Sequence, residues 1–138
     1  MTALANPTPA PIDESLVGAP ALYLTPAARP SLAEAQAWCK TLTTTHYENF
    51  HVATFFLPPA LRPHFHSVYA FCRTSDDLGD EVADTATATR LLATWRTMLH
   101  QCFTDPDASR HPVFVALQPT IAQRNLPIQP FDDLISAF

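Results

Sequence analysis

Residues 69–81 read YAFCRTSDDLGDE. Asp76, Asp77, Asp80 and Glu81 follow directly on an apolar, aromatic run, in a chain that is only 15% charged. Laid on a helix at about 100° per residue, Tyr69, Arg73, Asp76, Asp80 and Asp84 share an arc of roughly 60–80°, with Asp77 at its edge. Phe71, Leu78 and Val82 point the other way. One face of such a helix packs, while the other aligns a hydroxyl, a guanidinium and a ladder of carboxylates. Asp76 and Asp80, one turn apart, suit a hard divalent cation, because their oxygens can reach one Mg2+ or bridge two. Carboxylates that close repel each other, and a bound cation relieves the repulsion. Arg73 adds a planar fork of donors for phosphate oxygens. The plainer alternative is a solvated helix face carrying an intrahelical Arg73–Asp77 ion pair. The apolar YAFC and the length of the Tyr–Arg–Asp–Asp line favour metal plus phosphate.

Upstream, Pro7, Pro9, Pro11, Pro20, Pro26 and Pro30 interrupt an Ala- and Thr-rich stretch. Residues 1–30 therefore read as a disordered leader. Ser31 and Glu34 fit a capping box, and Leu32, Ala35, Trp38, Cys39 and Leu42 recur at helical spacing, predicting a helix over about 31–44. Pro58, Pro59 and Pro63 suit a turn and the start of a helix over about 61–82 that carries the opening motif. Leu91, Leu92, Trp95, Met98, Leu99, Cys102 and Phe103 form one apolar stripe, read as core. TDPDASRHP (104–112) reads as a loop. A helix over about 112–125 follows, with Pro119 expected to bend it, and Phe131, Leu134, Ile135 and Phe138 keep helical spacing to the last residue. Asp132 and Asp133 suit a first helical turn. Only Gly18 and Gly79 occur, and no run alternates β-branched residues, so the expectation is all-α with about five helices. An amphipathic helix ending on Phe138 without a cap reads as the N-terminal part of a longer protein.

The balance of 8 basic and 13 acidic residues, a net charge of −5, argues against a nucleic-acid partner or a polybasic membrane surface. Cys39, Cys72 and Cys102 are widely spaced without a CxxC, as expected of reduced thiols in a cytosolic protein. No apolar run approaches the length of a membrane span, and the N-terminus is no secretory signal. That leaves room for peripheral association with a membrane. His46, His51, His64, His66, His100 and His111 form no HxxxH or HExxH pattern and read as ordinary surface or half-buried histidines.

Tyr69 through Asp80 match Y-A-F-C-R-x-x-D-D-x-x-D at every fixed position. In this the chain resembles the squalene/phytoene synthases, the head-to-head trans-isoprenyl diphosphate synthases. HYENF (46–50) with the following LPPALRPHF, HPVFVAL (111–117) and PFDDLISAF (130–138) resemble the branch that converts presqualene diphosphate to hydroxysqualene in bacterial hopanoid synthesis. Residues 1–30 carry no resemblance.

The resemblance implies the N-terminal part of an all-α isoprenoid-synthase fold, in which two aspartate-rich helices face each other across a cavity. They hold Mg2+ ions that bind the diphosphate of presqualene or farnesyl diphosphate. It implies Asp76 and Asp80 as metal ligands supported by Asp77, with Arg73 and Tyr69 contacting the diphosphate. His46 and Asn49 fall on the diphosphate side, and Phe50 near the reacting end of the isoprenoid chain. Tyr47 and Glu48 replace the small hydroxyl and basic residues of other members, which points away from phytoene-type condensation. Ionisation would yield a carbocation, sheltered by apolar and aromatic walls and captured by water. Other hopanoid-pathway enzymes are implied as neighbours. The second aspartate-rich motif and the arginine- and glutamine-containing segment beyond a helix like 130–138 do not occur, so this stretch is expected to be inactive alone. Two alternatives stand beside this: a squalene or phytoene synthase condensing two prenyl diphosphates, and a non-catalytic helical interaction module.

Overall fold

Ser31 and Glu34 cap the first helix reciprocally: the Glu34 N–H donates to Ser31 Oγ at 3.1 Å and the Ser31 N–H donates to Glu34 Oε1 at 3.1 Å. Two otherwise unmatched donors are thereby satisfied, as a capping box requires. The computed structural model describes residues 12–46 and 56–138. Among them run five α-helices: α1 Leu32–His46, α2 Arg62–Asp80, α3 Thr85–Thr104, α4 Pro112–Arg124 and α5 Gln129–Ser136. The α2 helix is the hub and touches the other four; α1 also packs on α4, and α3 on α4 and α5.

The buried face of α2 explains that position. Ala70, Phe71 and Leu78 are fully buried beside the small polar residues Ser67, Thr74 and Ser75. Small side chains let neighbouring helices come close. The two serine hydroxyls keep hydrogen bonds by turning back on the preceding turn, Ser75 Oγ to the Phe71 carbonyl at 2.7 Å and Ser67 Oγ to that of His64 at 3.0 Å. Phe71 anchors an aromatic cluster with Trp95, Phe114 and Phe131. The Trp95 indole N–H reaches Ser75 Oγ at 2.9 Å. The apolar stripe of α3 is core, with Leu91, Trp95, Leu99 and Cys102 buried. Asn125, in the left-handed region at φ 50°, closes α4, and the helix runs on through Pro119 to Arg124. Residues 104–112 include a single 3-10 turn at Pro106–Ala108 and lead to a fully buried His111.

Two expectations need correction. The α2 helix ends at Asp80, not near 82, with Glu81 as its C-cap. Asp84 leaves the carboxylate line and caps α3 instead, its side chain accepting from the Thr87 N–H at 2.7 Å. An exposed aspartate gains more from free N–H groups at a helix start than from a ladder of like charges. The second correction concerns the described part of the leader, since residues 1–11 lie outside the described residues. Residues 12–30 form an ordered strap with 3-10 turns at Glu14–Leu16 and Ala21–Tyr23 and a two-residue antiparallel pairing of Ile12–Asp13 with Thr25–Pro26. Leu16 and Tyr23 are buried in the helical core. Arginines from distant helices and loops hold the strap. Arg90 donates to the Val17 carbonyl at 2.6 Å, Arg110 pairs with Asp13, and Arg29 of the strap donates to the carbonyls of Pro106 and Ser109 at 2.7 and 3.1 Å. Gly18 takes φ 104°, and a Cβ there would lie 2.8 Å from the Arg90 guanidinium. Proline content describes a chain in isolation, and these anchors come from elsewhere in the sequence.

Candidate diphosphate site

The face of α2 opposite Phe71 and Leu78 carries the sequence-predicted residues. Tyr69 is half-buried and stacks on Phe65, ring centroids 6.4 Å apart. Asp76 is half-buried and Asp80 exposed. Partial burial raises the Asp76 carboxyl above its usual range, helped by the charge of Asp80 and by a hydrogen bond with it. The two carboxyls stand one helical turn apart, near enough for their charges to act on each other, and the pair attracts positive charge. Among the described residues no group of three or more His, Cys, Asp or Glu side chains converges on a metal-sized space. Two hard oxygen donors on one helix still fit Mg2+, which keeps several waters and is commonly bound through one or two carboxylates plus substrate phosphates.

Asp77 is placed differently. It is only 6% exposed, and its carboxylate is turned into the protein. One oxygen, Oδ2, accepts both the Tyr23 hydroxyl and Arg73 Nε, the latter at 3.2 Å. The Arg73–Asp77 ion pair of the plainer reading therefore exists, and it coexists with the Asp76–Asp80 pair rather than replacing it. Partial burial opposes the charge on Arg73, yet the hydrogen bond and charge of Asp77 win and hold the guanidinium protonated. Arg73 is one-third exposed (33%) and uses Nε for Asp77, leaving the Nη edge outside that pair. Burial, the hydrogen bond to Asp77 and its charge all raise the Tyr23 hydroxyl, which stays protonated and donates.

His46 ends α1, exposed, beside an open pocket of about 540 Å³ that it lines with Leu22, Trp38 and Leu42. Among the described residues no hydrogen bond or ion pair joins it to Asp76 or Asp80. The expectations for Asn49 and Phe50, and for the departures at Tyr47 and Glu48, lie outside the described residues. A second pocket of about 370 Å³ adjoins Asp80 and is lined by Asp84, Leu92 and Phe138. Of the other histidines, His51 lies outside the described residues, and His64 and His100 are engaged structurally. His64 Nδ1 lies 2.8 Å from Thr120 Oγ1, and His100 pairs with Asp132, which also takes Arg96. Burial pushes the thiols of Cys39 and Cys102 up to about 12 and about 11, as expected of inert core cysteines.

Two residues of consequence escaped the sequence reading. Tyr23 stood in a stretch read as disordered. His111 looked like a loop histidine, yet it is fully buried between the rings of Trp38, Trp95 and Phe114. Its Nε2 lies 3.0 Å from the Tyr23 carbonyl, and Nδ1 accepts the Val113 N–H at 3.2 Å. A carbonyl only accepts and an N–H only donates, so the neutral Nε2–H tautomer satisfies both. The one local signal was a lone aromatic, Tyr23, within the proline-rich stretch.

The squalene/phytoene synthase family model matches residues 43–138. The chain belongs to the squalene/phytoene synthase family. A crystal structure of squalene synthase HpnC from Alicyclobacillus acidocaldarius is similar at 48% identity and a TM-score of 0.67, over 77% of this chain and 39% of that one. The described helices thus adopt the helical isoprenoid-synthase fold, and the chain spans about two-fifths of the length of that relative. No curated protein matches. Among the described residues no helix is long and apolar enough to cross a membrane.

Proposed function

We propose that this chain contributes the first aspartate-rich helix of an enzyme that ionises a prenyl diphosphate, converting presqualene diphosphate to hydroxysqualene in hopanoid synthesis. The observation that carries the reading is the face of α2, where Asp76 and Asp80 lie one turn apart and Arg73 stands one turn before. Asp76 and Asp80 hold Mg2+, which when bound supplies positive charge to the departing diphosphate. Arg73 directs its Nη edge at the diphosphate oxygens, and Tyr69 offers a hydroxyl to the same group. Asp77 is a support: it fixes Arg73 from behind. Apolar and aromatic side chains, Phe50 among them, shelter the carbocation until water captures it. His46 and Asn49 serve the diphosphate side. The name of the similar crystal structure, a squalene synthase, favours a second reading, condensation of two farnesyl diphosphates.

Titration of the chain with inorganic diphosphate, with and without Mg2+, tests the site. Binding should require Mg2+ and disappear in Asp80→Ala. Binding that survives the substitution refutes the metal assignment. Parallel turnover of presqualene and farnesyl diphosphates by the gene product separates the two reactions, and turnover of neither leaves a helical interaction module.

A further inference from the structure

The strap reaches the candidate site at one point. The Tyr23 side chain, 2% exposed, brings its hydroxyl to Asp77 Oδ2, the oxygen that also accepts Arg73 Nε at 3.2 Å. Tyr23 is itself held at both ends. Its carbonyl takes His111 Nε2 at 3.0 Å, and its ring meets Trp38 edge-on at 6.4 Å. Fifty-four positions separate Tyr23 from Asp77, so the contact is purely tertiary.

We propose that Tyr23 is a positioning residue for diphosphate binding, acting through Asp77 on Arg73. The proposal rests on the reading of Arg73 as a diphosphate contact. A carboxylate this buried needs its charge neutralised. With the Tyr23 hydroxyl sharing Oδ2, Arg73 meets only part of that need, and its Nη edge stays available to an anion beside Asp76 and Asp80. Without the hydroxyl, Arg73 is left to balance the Asp77 carboxylate and is drawn inward, away from the diphosphate. The metal pair is untouched. The strap, which the family model does not cover, thereby becomes part of the working site.

The test is a double-mutant cycle on the full chain, read by calorimetric titration with inorganic diphosphate in saturating Mg2+, well below each variant's melting temperature. Tyr23→Phe keeps the ring and should weaken diphosphate binding roughly 5- to 10-fold, the scale of one ordinary net hydrogen bond, since the effect reaches the anion only through Asp77 and Arg73. The Mg2+ concentration giving half-maximal binding should stay within about twofold, since Asp76 and Asp80 are unchanged. In an Arg73→Gln background the same substitution should have no further effect. A general loosening of the fold would instead weaken binding equally in both backgrounds. Asp77→Asn, which keeps the shape but removes the charge being shared, should also lose its effect in the Arg73→Gln background, and it serves if Tyr23→Phe fails to fold. Unchanged affinity in Tyr23→Phe, or an equal loss in both backgrounds, overturns the proposal alone. A parent chain without Mg2+-dependent diphosphate binding overturns the site reading and this proposal with it.

Discussion

Acid should release the strap through one residue, His111. Its imidazole is completely buried among Trp38, Trp95 and Phe114, and burial lowers it from the ordinary 6.5 to about 4, with the Tyr23 carbonyl opposing weakly. The folded state keeps it neutral where the unfolded chain would protonate it. Its contribution to stability is therefore complete above pH 6.5 and is lost as pH falls toward 4. Fully expressed, that gap is worth about 3 kcal/mol, of which about 2 kcal/mol is gone by pH 5. Domains of this size are held by only about 5–15 kcal/mol, so the effect is large. Urea unfolding at pH 7, 6 and 5 measures it. His66, lowered by burial and then by Lys40 and Arg62, adds a slope of the same sign. The decisive quantity is therefore the difference in slope between the parent and His111→Gln. That variant need not match the parent in stability; it must only lose the His111 part of the pH dependence. Proton NMR offers a direct check, because the His111 ring should not titrate above pH 5. Titration near 6.5, or an undiminished slope in His111→Gln, would refute the reasoning.

Asp76→Asn should stabilise the metal-free chain at pH 7 while abolishing Mg2+-dependent diphosphate binding. Because burial and Asp80 raise the Asp76 carboxyl in the folded state, its contribution holds below the ordinary 3.8 and is lost as pH rises through the folded value. Removing the charge should recover about 0.3 kcal/mol, the scale of a like-charge pair one turn apart, and the gain should vanish at pH 3; thermal unfolding at the two pH values checks this. Trp95→Ala should cost about 3–5 kcal/mol, since it empties the space between Phe71, Phe114 and His111 and removes the donor to Ser75. Chemical unfolding measures it, and a loss under 1.5 kcal/mol would mean that the aromatic cluster is not the core.

Most of the helical framework was legible because it depends on neighbours in sequence. Ser31 with Glu34, the stripe from Leu91 to Cys102, and the arc from Tyr69 to Asp80 all follow from a period of 3.6 residues and the needs of helix ends. The same reasoning overran at Asp84. Periodicity alone extends a ladder indefinitely, whereas the chain turns at Glu81 and uses Asp84 to start α3. Asp77 was placed at the edge of the carboxylate arc by angle alone. Its direction was settled by Tyr23, which lies outside any helix of the motif.

By itself the sequence determined that α2 carries apolar residues on one side and Tyr69, Arg73, Asp76 and Asp80 on the other, since a helix converts spacing directly into a face. It likewise determined the family, through a motif matched position by position. Only the tertiary structure decided that residues 12–30 are part of the domain, that His111 is a buried neutral clamp, and that Asp77 serves Arg73 and Tyr23. Those assignments rest on contacts between residues 54 and 88 positions apart. Whether a polar group is satisfied at such a distance depends on burial and on the partner's geometry, neither of which is written in local pattern.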